Sequence, residues 1–202
     1  MILTTSYLPP SWYIEQLIAA DVVFIESSEH FIKQTIRNRC HILSPNGVQT
    51  LIVPVVHLNR TKSPIKDIRI SNDFPWQRQH WRSLTSAYRR SAFFEFYQDD
   101  LIRYYEKRFD FLFDFNQSLL LFLLEQIKVE KPLLLTTLYQ PPVIEDMNDL
   151  RNRCNTRLPV ETGTIKSYPQ VFGYKDGFVP GLSVVDLLFS MGSASRSYLQ
   201  ES

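Results

Sequence analysis

Cysteine is scarce in this chain: Cys40 and Cys154 are the two in 202 residues. Two thiols do not make the disulfide framework of a small secreted domain. Without a Cys-x-x-Cys pair, no structural zinc site is expected. A surplus of charge is also lacking. The 22 basic and 21 acidic residues leave a formal net charge of +1, so no general field draws nucleic acid or an anionic membrane. Neither is expected as a partner. Long apolar runs are missing as well. The strongest, Leu119 to Leu124, stops at Glu125, far short of the roughly 20 residues needed to span a bilayer. Met1 to Pro10 has no basic start and no long apolar stretch, so it does not read as a signal peptide. These absences point to a reduced, cytoplasmic protein. Gly-x-Gly-x-x-Gly and Walker loops are absent, and so is a Gly-x-Ser-x-Gly elbow. His30, His41, His57 and His80 have no metal-ligand spacing. No metal is expected, and the sequence names no cofactor and no oligomeric state.

What is present is enough apolar sequence, 44%, for a substantial core. The length suits one domain over residues 1–202. Ile2 to Leu8 reads as a strand closed by Pro9 and Pro10. Ser11 is placed to cap a helix from Trp12 to Ala20, with Ile14, Leu17 and Ile18 on one face. Val22 to Ile25 is β-branched and apolar, a second strand. Strand, short helix and strand make a βαβ unit with parallel strands. Ser44-Pro45-Asn46-Gly47 is a turn, Leu51 to Val55 a strand, and Asn59 to Pro64 a loop. Ile65, Ile68 and Ile70 suggest a further strand.

From Pro75 the pattern turns helical, with helices expected over Trp76 to Tyr88, Phe93 to Tyr105 and Asp114 to Val129. Leu133 to Thr137 reads as a strand and Asp146 to Cys154 as a short helix. Pro141 to Gly163 is the least patterned stretch, Tyr168 to Phe172 is a possible strand, and Ser183 caps a last helix, Val184 to Phe189. The fold class is therefore α/β, with a mostly parallel central sheet starting from the βαβ unit and a helical middle third.

Three segments could carry chemistry. Glu26 to Arg39 leaves the carboxyl end of a parallel strand, where open α/β sheets bind ligands. Lys33 is a mobile point charge, and Arg37 and Arg39 could each grip a phosphate or carboxylate through two hydrogen bonds. A solvated loop whose arginines pair with carboxylates elsewhere accounts for the same residues equally well. His80, one turn beyond Trp76, could serve as acid or base near neutral pH. The spacing favours a boundary histidine in an aromatic layer. Ser183 and Asp186 stand three apart at a helix start and could close a capping box or meet an anion. The pattern favours the cap.

Taken in order, Lys33-Gln34, Arg37-Asn38-Arg39-Cys40, Trp76-Gln77 with His80-Trp81, Ser86-Ala87-Tyr88 with Phe93-Phe94-Glu95, Gln170-Val171-Phe172, and Gly177-Phe178 with Leu182-Ser183 and Asp186 to Phe189 resemble the WbqC-like family. The chain departs from the family pattern at Thr4, Thr5, Trp12 and Glu26-Ser27. The resemblance implies a part in O-antigen or capsular polysaccharide synthesis, with a transferase role the usual suspicion. On that reading the substrate is small and anionic, a nucleotide- or sugar-linked molecule. Lys33, Arg37 and Arg39 would bind its charge and Asn38 would orient a polar group. His80 would be the acid or base, with Glu26 the alternative, and Ser183 and Asp186 would shape the far wall. A non-catalytic binding module in the same pathway is the rival.

Overall fold

The parallel pair expected near the N-terminus is present in the computed structural model, which describes residues 1–56, 63–142, 146–155 and 166–201. Strand β1 (Ile2–Thr4) leads through helix α1 (Ser11–Ala19) to strand β2 (Val23–Glu26). The two strands are parallel, with Ile2 opposite Phe24 and Thr4 opposite Glu26. β1 is shorter than expected: it ends at Thr4, four residues before Leu8, where the backbone takes a φ of 40° and turns the chain ahead of Pro9. Helix α1 starts on Ser11 itself, behind the extended Pro10, and has no side-chain cap. Ile14 and Leu17 are buried, as their spacing demands.

Next, β3 (Arg39–Ser44) and β4 (Gly47–Ile52) form an antiparallel hairpin around the Pro45-Asn46 turn. The strand expected over Leu51 to Val55 thus lies several residues earlier. The three isoleucines at 65, 68 and 70 do not form a strand. Ile65–Asp67 is a 3₁₀ turn, and the three-residue step from Ile65 to Ile68 matches its period.

The middle third is helical: α2 (Trp76–Tyr88), α3 (Phe94–Leu101), α4 (Arg103–Glu106) and α5 (Leu112–Ile127). The single helix expected over Phe93 to Tyr105 is broken at Ile102 into α3 and α4. α5 buries Phe115, Leu119, Phe122, Leu123 and Ile127 along one broad stripe, which makes it the central helix of the core. Strand β5 (Leu133–Leu135) then pairs parallel with β2, giving the sheet order β1-β2-β5.

Beyond β5 the sequence misleads. Asp146 to Cys154 is not a helix. Asn148 to Leu150 runs beside β1, where Ile2 donates to the Asn148 carbonyl at 2.7 Å and Leu150 donates to the Ile2 carbonyl at 3.0 Å. A 3₁₀ turn follows at Arg153–Asn155. Tyr168 to Phe172 is not a strand either; it leads into the short α6 (Gly173–Asp176). Helix α7 (Val184–Met191) is capped by Ser183, whose Oγ accepts from the Val185 amide at 3.4 Å. A further helix, α8 (Ser195–Glu201), which no sequence pattern announces, packs on α1. His57, most of the loop expected over Asn59 to Pro64, and residues 162–165 lie outside the described residues. Among the described residues, no helix is long and apolar enough to cross a membrane. Cys40 and Cys154 are free and buried.

Gly192 ends α7 with a φ of 58°, and a Cβ there would stand 2.6 Å from the Phe93 ring. Gly192→Ala should therefore cost roughly 2–4 kcal/mol in urea unfolding, from the left-handed backbone and the overpacked ring together. A loss below about 0.5 kcal/mol would show that this junction yields easily.

Candidate functional site at the carboxyl end of the sheet

All strands of a parallel sheet end at one edge, and the crevice beyond their carboxyl ends is where such sheets bind ligands. In this chain the edge consists of Thr4, Glu26 and Thr136. Glu26 is only 1% exposed, and a carboxylate so buried needs partners. Its Oε1 accepts from Thr136 Oγ1 at 2.7 Å and from the Ser28 amide at 2.8 Å. Its Oε2 accepts from Arg151 Nη1 at 3.0 Å.

Arg151 is equally buried and is held by the other carboxylate that flanks it. Its Nε and Nη2 donate to Asp149 Oδ1 and Oδ2 at 2.9 and 2.6 Å, and its Nη1 also donates to the Gln140 carbonyl at 2.7 Å. Hydrogen bonding to Asp149 raises the Arg151 pKa further, against desolvation, with the fields of Asp149, Glu26 and Glu29 adding to it. The backbone running beside β1 is what delivers Asp149 and Arg151 to this edge.

A second buried pair sits alongside. Arg37 Nε and Nη2 donate to Glu29 Oε1 and Oε2 at 2.8 and 2.6 Å, and its Nη1 donates to Thr35 Oγ1 at 3.1 Å. Thr4 donates its hydroxyl to Glu29. From α5, Asn116 Nδ2 donates to the Arg37 carbonyl at 2.7 Å, and from α1 the Tyr13 hydroxyl donates to the Thr4 carbonyl at 2.8 Å. The edge is thus tied to both helices.

From this edge a cleft of roughly 410 Å³ runs back along the sheet to Ile2 and Phe24. Ile2, Phe24, Leu135 and Leu138 form its apolar walls, and Glu26, Thr136, Thr137, Gln140 and Arg151 its polar end. Beside it the Tyr139 ring lies 6.0 Å from the Arg151 guanidinium carbon and 6.1 Å from the His30 ring. A larger groove of roughly 630 Å³ runs between α4 and α5. Its Asp100 and Arg103 are solvent-exposed and paired with each other at 3.2 Å. Exposed charges of this kind contribute little, so the sheet-edge cleft with its buried carboxylate is the stronger candidate.

The residues singled out in the sequence do not all meet at the cleft: Asn38, Arg39, His80 and Ser183 lie about the β3–β4 hairpin, where Arg39 pairs with Ile52, the Ile52 backbone bonds His80, and Ser183 donates to the His41 carbonyl at 2.8 Å. Glu26 lines the cleft. Arg37 is fully buried on Glu29, so its guanidinium faces a carboxylate of the protein, in place of the substrate anion expected from the sequence. Asn38 donates to the Val53 carbonyl at 3.0 Å. Lys33 is exposed on the loop after β2. Arg39 is half-buried at the start of β3, and its Nε has no hydrogen-bond partner. Ser183 is committed to its helix cap. Asp186 does not complete the capping box: its Oδ2 accepts from the Tyr168 hydroxyl at 2.8 Å and from Gln170 Nε2 at 3.1 Å. Burial raises its carboxyl above the ordinary range, against those hydrogen bonds.

His80 lies in the aromatic core, edge-on to Trp76. Its Nδ1 is 2.8 Å from the Tyr7 hydroxyl, which is 2.9 Å from the Tyr105 hydroxyl, and the ring also bonds the Ile52 carbonyl. A ring that donates to that carbonyl must accept from Tyr7, so Tyr105 donates to Tyr7. Burial pushes the imidazole down to about 4.

Asp149, Arg151 and Thr136 were not singled out in the sequence. The one local signal is an acid and a base two residues apart, Asp149-x-Arg151. Such a pair shares a side only on an extended backbone, whereas the segment reads as a helix.

The family model described as WbqC-like protein family matches residues 5–158. The protein named "Uncharacterized protein Rv1507c" of Mycobacterium tuberculosis is 26% identical over 223 residues, an alignment covering 98% of this chain and 96% of that protein. No solved structure matches the chain.

The neutral His80 has a consequence for acid stability. Its pKa is lower in the folded chain, about 4, than the ordinary 6.5. The unfolded chain therefore binds the extra proton between those values. The associated stability is complete above pH 6.5 and is lost as pH falls towards 4, a total of roughly 3 kcal/mol. His80→Gln should flatten that part of the pH–stability curve relative to the unmodified chain. Parallel curves for the two proteins would mean that His80 titrates normally.

Proposed function

The chain belongs to the WbqC-like protein family, and from that premise we propose that it is a transferase-type enzyme of surface-polysaccharide synthesis working in the cytoplasm, with the sheet-edge cleft as its substrate site. The observation that carries this reading is Glu26, a buried carboxylate lining a cleft at the carboxyl end of a parallel strand. Glu26 would take the proton from an acceptor group as that group bonds to the transferred unit. The donor's leaving group would depart with the bonding electron pair. Arg151 and Thr136 position the carboxylate. Lys33, exposed, and Arg39, half-buried, are the cations of the expected set that no carboxylate among the described residues pairs with, and they would meet the anionic part of a nucleotide- or sugar-linked substrate. Arg37, Asn38, Ser183, Asp186 and His80 would act by holding the scaffold.

A second reading has its own support. None of Lys33, Arg39, His80 and Ser183 lines the cleft, and apolar side chains near it are open to solvent, Leu138 at 78% and Met147 at 89%. A binding module that holds a partner of the same pathway would present such a surface.

The two readings part on Glu26. In the organism that encodes the chain, deletion of its gene should alter the surface polysaccharide, and Glu26→Gln should fail to restore it, because loss of a general base typically costs about 10²–10⁴ in rate. Full restoration by a stably folded Glu26→Gln would sink the enzyme reading in favour of the module. An unaltered polysaccharide in the deletion strain would remove both.

A further inference from the structure

Among the described residues the charge around the cleft is unbalanced, and both guanidinium groups at it are committed. Glu26, Glu29 and Asp149 face Arg37 and Arg151, three carboxylates against two guanidinium groups. The charged residues that line the cleft itself are Glu26 and Arg151. Arg151 has four of its five N–H donors engaged: two with Asp149, one with Glu26 and one with the Gln140 carbonyl. Among the described residues a phosphate placed here would find no free cation and would meet a net negative charge, which in a poorly screened site repels it.

Glu26 presents the complementary opportunity. A carboxylate offers about four acceptor positions, and Glu26 uses three, with Thr136 and Ser28 on Oε1 and Arg151 on Oε2. One position on Oε2 remains open on a buried group at the cleft wall. A donor carrying positive charge fits it best, since it both completes the hydrogen bonding and cancels the excess charge. Around it, Thr137 and Gln140 supply polar contacts, Phe24 and Leu135 an apolar wall.

We propose that the group seated against Glu26 is an amine carried on a small polyhydroxylated ring, an amino sugar, and that any phosphate of the substrate lies outside the cleft. This rests on the reading of the cleft as the substrate site. It specifies which end of the substrate enters and which charge is refused.

The test uses the full chain and four probes: D-glucosamine, N-acetyl-D-glucosamine, D-glucose and glucose 1-phosphate. Affinity is read by calorimetric titration, and location by amide hydrogen exchange over Leu135 to Gln140. Glucosamine should bind about tenfold more tightly than glucose, the increment of one charged hydrogen bond. Acetylation, which removes the charge, should abolish that preference, and glucose 1-phosphate should bind more weakly than glucose. Glu26→Gln should bring glucosamine to within about twofold of glucose, and the acetylated probe gives the same comparison without a variant. Tighter binding of glucose 1-phosphate than of glucosamine, with protection still over Leu135 to Gln140, would overturn the amine assignment and leave the cleft as the site. Absence of protection there with every probe would overturn both.

Discussion

Three carboxylates and two guanidinium groups buried at one end of a three-stranded sheet fix how the distant parts of this chain meet. Glu26 and Glu29 follow β2, Arg37 ends the loop beyond it, and Asp149 and Arg151 come from more than a hundred residues later. Burying an unpaired charge costs several kcal/mol, while a paired and fully hydrogen-bonded cluster recovers most of that cost. The cluster therefore tolerates few alternative arrangements, and it specifies geometry more than it adds stability. It pulls the Asn148 to Leu150 segment against β1 and holds Thr136, just past β5, against Glu26. The cleft is the space left above that arrangement.

The apolar side of the molecule meets the same edge from below. Tyr7, Trp76, His80, Tyr105 and Phe115 pack ring against ring just past the end of β1. Their polar atoms are satisfied among themselves, by the Ile52 carbonyl and, for the Trp76 indole N–H, by Asn72 Oδ1, so His80 is neutral and acts as a core residue. Its place in the fold is to join α2 to the turn after β1. Glu26, by contrast, lines the cleft while almost wholly buried, and a carboxylate held rigidly at a cleft wall is placed to receive a proton from a group bound there.

Local patterns made much of this legible. The parallel βαβ start, the Ser44 to Gly47 hairpin turn, the bounds of α2 and most of α5 follow from periodicity and turn chemistry. What failed did so for identifiable reasons. Ile65, Ile68 and Ile70 satisfy a strand alternation only in part, and a 3₁₀ turn buries the first two as well. Asp146 to Cys154 has helix-compatible composition, yet its pairing with Ile2 is a long-range hydrogen bond that no window of sequence contains. The site suffers the same limit. Arg37 reads as an anion ligand because its partner, Glu29, looks like a solvated acid eight residues away. Only the fold shows that the two are buried together. Glu26 was legible because strand-end position is a local property, while Arg151, which decides how Glu26 is held, was not.

The account depends on Glu26 and Arg151 being directly coupled in the folded chain. A double-mutant cycle with Glu26→Gln, Arg151→Met and the combined variant, read by urea unfolding, measures that coupling. Arg151→Met strands the buried Asp149 in the single and the double variant alike, so that cost cancels in the cycle and what remains is the coupling between Glu26 and Arg151. The cycle should give a coupling energy of about 2 kcal/mol or more. Additive effects, within about 0.5 kcal/mol, would show that the two side chains do not share one buried network, and the cleft as described would lose its foundation.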